Sequence, residues 1–282
     1  MRKEIIAMDM TGIYKRFKEN YIQDSLVRSL DVRDFSNLSG TDAYCDETAY
    51  ETMSRAIKDE EIWGIHLLDN GNYHYLSRLF TSKIREPYKL LVFDNHPDSQ
   101  APAFGDILSC GGWIRDLVLK DQYIEQVLLV GLRADLLADL NASFKESFKE
   151  SFKESFKDGL DSLKNQDEAA RISYEKARLE KITFISSSQL ADLDLKALIE
   201  DFIADSKYYL SIDRDVLAGS EITTNWDQGL MKLSDLVSIL KGLDKNKIIG
   251  ADICAESLSM CDDARSIDVH KAIIEALTNT SF

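Results

Sequence analysis

The feature that most limits what this chain can fold into is its rhythm. Apolar runs of strand length recur from end to end: EIIAM, SLVRSLDV, IWGIHLLD, YKLLVFD, QVLLVGL, KITFIS, KYYLSID and KIIGADI. Longer amphipathic stretches separate most of them: DETAYETMSRAIKDE, YHYLSRLFTSKI, GGWIRDLVLK, LADLDLKALIEDFIADS, MKLSDLVSILKGL and DVHKAIIEALTNT. Near-continuous apolar strands alternating with helices imply a mostly parallel sheet buried on both faces, because each crossover lays a helix over it. About eight strands and no linker rich in Pro, Gly or Ser predict a single α/β domain over residues 1–282. In such sheets sites form at the carboxyl edge of the strands.

One segment breaks the rhythm. SFKESFKESFKESFKD, residues 143–158, repeats a four-residue unit within an expected helical insertion at about 141–166. A period of four overshoots a helical turn by about 40° per repeat, so its Phe stripe winds around the helix and cannot keep one packing face. The segment reads as a surface helix of duplicated origin, with a partner-binding Phe ridge as the alternative.

The net charge of −15 would repel a phosphate backbone, and the basic residues are scattered, which argues against nucleic acid. No apolar run approaches the roughly 20 residues that span a bilayer. MRKEIIAMDM carries acidic residues where a signal peptide would continue its apolar core, so no membrane or export role is expected. Cys45, Cys110, Cys254 and Cys261 form no Cys-x-x-Cys pair and fit a reducing cytoplasm.

The chemistry gathers where apolar runs stop. LLVFDNHPDSQ ends in Asp94, His96 and Asp98 at alternate positions, which in an extended chain share one side. KYYLSIDRD ends in Asp213 and Asp215 with the same spacing, and GNYHYLS puts His74 at a strand-to-helix turn. Four carboxylates and two imidazoles brought together would repel and desolvate one another unless cations lay between them, and four negative charges balance two divalent ions. An oxygen-rich set with some imidazole and no thiolate suits manganese, with iron, cobalt or magnesium as alternatives. Two such ions sharing a water make hydrolysis the natural reaction class.

Asp-x-His-x-Asp, Ser-x-Asp-x-Asp over Ser211 to Asp215, and the preceding glycine-turn-histidine resemble, in order and spacing, the three metal motifs of the arginase, agmatinase and formimidoylglutamase family, the ureohydrolases. The resemblance runs from about residue 60 to the C-terminus. It implies a three-layer α/β/α fold, a binuclear Mn(2+) centre and hydrolysis of an amidino, guanidino or related C–N bond by a metal-bridging hydroxide. By the same resemblance His74, Asp94, Asp98 and Asp213 hold one metal, and Asp94, His96, Asp213 and Asp215 the other. The family commonly assembles into trimers or hexamers, which leaves a homo-oligomer open.

Departures from the family pattern point to a small-molecule substrate other than arginine. Gly71-Asn72-Tyr73-His74 replaces Gly-Gly-Asp-His, and Cys110-Gly111-Gly112 stands where the family has a proton-shuttling histidine. The family's Asp-x-x-Glu becomes Asp252 with Glu256 four residues on, so Glu256 is expected as a displaced substrate anchor with a catalytic role. Gln100, Trp226 and Asp227 are expected to shape the pocket, an acidic wall from Asp227 or Glu256 favouring a cationic or amide-bearing ligand. Asp215 or water would protonate the leaving amine. Alternatives are a deacetylase-like amide hydrolase with a single zinc on Asp94, His96 and Asp215, and a metal-binding protein of this fold without catalysis. His66, inside an apolar run, reads as a core histidine, and His270 as a surface one. Cys110 and Cys254 read as small buried residues rather than nucleophiles.

Overall fold

A computed structural model describes residues 5–140, 142, 162–257 and 264–278. The SFKE repeat, Cys261 and most of the expected insertion lie outside these residues; from Ser162 the chain is helical to Leu179.

Ten strands are described: β1 (Ile5–Asp9), β2 (Leu30–Asp34), β3 (Tyr44–Cys45), β4 (Ile65–Leu67), β5 (Tyr88–Phe93), β6 (Leu108–Ser109), β7 (Ile124–Leu132), β8 (Ile182–Ser186), β9 (Tyr208–Asp213) and β10 (Ile248–Cys254). Eight form one sheet in the order β2-β1-β4-β10-β9-β5-β7-β8, and every pairing in it is parallel. The short β3 and β6 pair antiparallel with each other, an element with no signal in the apolar pattern.

Alternation along the central strands explains the three layers. In β5, Leu91 and Phe93 join one apolar core while Leu90 and Val92 join the other; in β9, Leu210 and Ile212 oppose Tyr209. Helices Ile13–Asn20, Leu195–Ile203, Leu233–Gly242 and Ala264–Thr278 cover the first face, and Glu47–Ala56, Ser77–Thr81 and Trp113–Lys120 the second. With both faces covered, a strand has no polar side to show, which is why these runs read as apolar throughout.

Three local expectations are corrected. SLVRSLDV is not one strand: Ser25–Ser29 is helical because the Asp24 carboxylate caps it, accepting from the Leu26 and Val27 amides, and only Leu30–Asp34 is extended. Ile13–Asn20 is a helix that the strand-centred reading passed over, although Ile13, Tyr14 and Phe17 give it one buried stripe. The helix expected over YHYLSRLFTSKI is a 3-10 turn, Gly71–Leu76, followed by the short helix Ser77–Thr81.

For function, register matters most. Phe93 pairs with Ile212, so the next residues on the two neighbouring strands, Asp94 and Asp213, leave the middle of the sheet side by side.

Candidate metal centre at the carboxyl edge of the sheet

Both acidic motifs are aimed by the same local device. The Asp94 Oδ1 accepts from the His96 amide at 2.7 Å, and the Asp213 Oδ1 accepts from the Asp215 amide at 2.8 Å. In each, the first carboxylate folds the chain back so that the residue two positions on faces the same space. Convergence therefore comes from turns, where an extended chain was expected; Asp98, after Pro97, reaches the site with a positive φ of 43°. Gly131 at the end of β7 makes room for the turn. Its φ is +106°, and a side-chain Cβ there would lie 2.3 Å from Val216 Cγ2 and 3.2 Å from the Asp94 carbonyl oxygen.

His74 comes from the 3-10 turn after β4, which Asn70 caps by accepting from the Asn72 amide. Its Nε2 meets the Ser211 Oγ at 2.9 Å, and that hydroxyl donates to Asp252 Oδ1 at 2.6 Å. Ser211 and Asp252 are register partners on β9 and β10. The chain Asp252, Ser211, His74 places the proton on Nε2 and frees Nδ1 as a donor atom, the usual arrangement behind a metal-binding imidazole. Nδ1 lies 2.8 Å from Asp98 Oδ2, 3.3 Å from Asp94 Oδ2 and 3.4 Å from Asp213 Oδ2. None of the three is aligned for a hydrogen bond: His74 Nδ1 and Asp94 Oδ2 are both buried and unsatisfied. Across Asp94, His96 Nδ1 lies 2.8 Å from Asp215 Oδ2 and 3.7 Å from Asp94 Oδ1.

Among the described residues two sets have donor atoms close enough to hold an ion: His74, Asp94 and Asp98, and Asp94, His96 and Asp215. Asp94 is common to both. Asp213 is in neither set but borders the first through His74. Crowding shows in the proton affinities. Burial and then Asp94 push Asp98 and Asp215 up to about 6, and burial and then Asp215 raise Asp213 well above the carboxylate range. Burial opposes charge on His96, but Asp215 and Asp94 outweigh it and lift the imidazole to about 11. Such a cluster holds protons where a cation would otherwise neutralise it. Its donor set, oxygen-rich with imidazole and no thiolate, and its orphaned buried atoms fit divalent ions.

The centre opens into a cavity of about 260 Å³. Gln100, Trp226 and Asp227 are on its wall. Trp226 is 40% exposed, stands edge-on to the His96 ring at 5.3 Å and donates from Nε1 to Asn72 Oδ1. It lies over Gly71, where a Cβ would come within 2.4 Å of the indole. Cys110 and Gly111 are also on the wall, and burial followed by Asp98 pushes the thiol up to about 12, far from a reactive thiolate.

Glu256 requires a correction. Ala255 turns left-handed, with φ 69°, and sends Glu256 away from the cavity into a fully buried pair with Arg214, Nη2 to Oε2 2.7 Å. Ser266 Oγ donates to the same oxygen at 2.8 Å and His270 Nε2 meets the other. Glu256 is therefore neither a substrate anchor nor in reach of the reacting groups. His270, expected on the surface, is buried in this network, where burial and then Arg214 hold its affinity for a proton well below normal. His66 does belong to the core: it is fully buried, stacks on Phe80 and meets the Tyr209 hydroxyl at 3.1 Å. Cys254 is buried as expected.

Sequence reasoning leaves Trp113 open between core and pocket, and it missed Arg133. Trp113 is a core residue whose Nε1 donates to Asp98 Oδ2 at 2.7 Å, orienting a carboxylate of the cluster. Arg133 follows β7 into the cavity wall and pairs with Asp227, Nη1 to Oδ2 2.8 Å. Its signal was a cation placed at the carboxyl end of an apolar run.

The sequence profile of the Arginase family matches residues 18–277. An uncharacterized protein of Thermotoga maritima is 29% identical over 216 residues, covering 76% of this chain and 68% of that protein. Similar solved structures include formimidoylglutamase from Bacillus subtilis, with TM-score 0.60 and 12% identity over 99% of this chain and 87% of that one. Arginase from Bacillus caldovelox superposes with TM-score 0.62 and 13% identity, covering both chains fully. Proclavaminate amidino hydrolase from Streptomyces clavuligerus gives 0.61 and 11%, over 98% and 92% of the two chains. At these identities the structures speak for the fold alone, and it is the profile match over most of the length that establishes that this chain belongs to the arginase family.

Proposed function

We propose that this protein is a binuclear-metal hydrolase of a small C–N bonded substrate, amidino, guanidino or amide, other than arginine, with manganese as the resident metal. The observation that carries the proposal is the pair of ligand sets joined through Asp94, with His74 Nδ1 and Asp94 Oδ2 buried and unsatisfied. His74, Asp94, His96, Asp98, Asp213 and Asp215 would hold two ions. The ions would supply a water of lowered pKa and polarise the bond to be cleaved.

The residues of this chain do the rest. Asp252 and Ser211 fix the His74 tautomer, Trp113 fixes Asp98, and the paired turns of Asp94 and Asp213 hold the cluster in one geometry. The leaving amine takes its proton from Asp215 or from water. Cys110 and Gly111 put no imidazole on the wall where arginases shuttle protons, which supports a substrate other than arginine. A cavity of about 260 Å³ suits a small molecule. The described cysteines are unpaired, which supports a reducing, cytoplasmic setting, and no described helix is long and apolar enough to cross a membrane.

The set Asp94, His96 and Asp215 is sufficient for one ion, so a single-zinc amide hydrolase is the second reading. Release of ammonia or amine from a panel of amidines, guanidines and amides, measured with manganese and with zinc, separates the two. Manganese-dependent turnover that Asp213→Asn reduces by more than the ~10–100-fold typical of losing an outer-shell partner is expected. Full activity with one zinc per chain would favour the second reading, and no turnover with either metal would leave a metal-binding protein.

A further inference from the structure

The two imidazoles of the cluster are held in different ways. Behind His74 stands the hydrogen-bonded chain through Ser211 to Asp252, and the fully buried Trp113 ring lies 5.0 Å away. His96 turns its Nδ1 to Asp215 and Asp94, the side on which an ion would lie. Among the described residues its ring makes one hydrogen bond, at Nδ1, and none at Nε2. An imidazole without a second partner turns about a broad torsion, and each turn takes Nδ1 off the ion. What restrains the ring is Trp226, whose indole stands 5.3 Å from it at 68°, inside the roughly 4.5–7 Å range of favourable edge-to-face pairs.

Trp226 is a firm support although it is partly exposed. Thr224 Oγ1 accepts from its amide at 3.2 Å and donates to its carbonyl at 3.1 Å, and Asn72 Oδ1 accepts from its Nε1 at 2.9 Å. The bare Cα of Gly71 gives the indole its seat. The loop is tied down on either side: Asn225 Oδ1 accepts from the Gly71 amide at 3.1 Å, and the Asp227 carbonyl accepts from Asn95 Nδ2 at 3.0 Å. Asn95 directly precedes His96, and Gly71 opens the turn that carries His74, so the indole is fixed relative to both motifs. Rotamers locked by packing are what hold a ligand within the small tolerance a metal site allows.

We infer that Trp226 is a positioning residue for the His96 half of the metal centre, holding that imidazole in its ligating orientation where hydrogen bonds hold His74, and that Asn72 acts through it. The inference rests on the two-ion reading above and distinguishes its halves: one is braced from the core, the other by an aromatic contact at the cavity wall.

The test is manganese binding to the full chain by equilibrium dialysis with elemental analysis, on Trp226→Ala made in wild type and in His96→Ala. In wild type, Trp226→Ala should weaken one of the two ions by about three- to tenfold, the scale of one aromatic pair, and leave the other unchanged. In His96→Ala it should change nothing, because its target is gone. Trp226→Phe should restore most of the lost affinity, and Asn72→Ala should lose part of it. Equal weakening of both ions, or a loss that persists in His96→Ala, would make Trp226 a general structural residue and overturn the inference. So would unchanged manganese binding in Trp226→Ala, which would leave it a cavity wall only. No manganese on wild type would instead overturn the two-ion reading itself, and the inference with it.

Discussion

Three consecutive residues, Asp213, Arg214 and Asp215, serve two buried charged clusters that differ in one respect. Arg214 faces a network in which Glu256 receives donors from Arg214, Ser266 and His270, and Arg214 also donates to the Ala255 carbonyl. Asp213 and Asp215 face a cluster whose carboxylates outnumber its cations even with both imidazoles protonated, four against two, and which leaves His74 Nδ1 and Asp94 Oδ2 unsatisfied. The first cluster is closed in charge, one carboxylate against one guanidinium, although Arg214 Nε and His270 Nδ1 are buried there without hydrogen-bond partners. The second is open, and its balance has to come from outside. Burial alone therefore does not mark a functional site; a buried deficit does.

This contrast can be broken from either side. The largest effect is expected in the closed cluster, where Glu256→Ala leaves Arg214 charged and unpaired and should cost about 3–5 kcal/mol of stability, read by chemical denaturation. In the open cluster the sign reverses for metal-free protein. Asp215 has its pKa raised from 3.8 to about 6, so the folded state binds more protons than the unfolded between those values. Its ionisation therefore costs stability as pH rises through that window, and the cost persists above it. Asp213 is raised further, by burial and then Asp215, and Asp213→Asn, which keeps an oxygen for the Asp215 amide, should stabilise the metal-free protein at pH 7, the advantage shrinking on acidification as read by chemical denaturation.

His66 belongs to neither cluster and sharpens the comparison as a control. Burial, its main perturbation, holds its pKa down to about 3, so below pH 6.5 the unfolded chain takes up a proton that the folded one refuses. It should remove about 1.4 kcal/mol per pH unit on acidification, and His66→Phe should flatten that slope in denaturation midpoints between pH 6.5 and 4. The smallest effect belongs to the exposed rim, where Asp135→Ala should leave the denaturation midpoint unchanged within error.

The open cluster was largely legible in the sequence because its signal is local: charged residues two apart where apolar runs end. Alternation likewise announced the sheet, since strands covered on both faces keep no polar side. What escaped reading depends on distant partners. Glu256 looked like an anchor displaced by one residue, but the left-handed turn at Ala255 and its pairing with Arg214, 42 positions away, decide where it points. His270 looked amphipathic and exposed until Glu256 gave it a partner. Even the residues that do come together converge for a reason that spacing alone did not reveal, the backbone turns at Asp94 and Asp213.

The most direct test of the contrast is the number of manganese ions bound per chain, measured by equilibrium dialysis and elemental analysis on wild type, Asp94→Asn and Glu256→Gln. The open-cluster account predicts two ions in wild type and in Glu256→Gln, and at most one, weakly held, in Asp94→Asn. Unchanged manganese content in Asp94→Asn would contradict it.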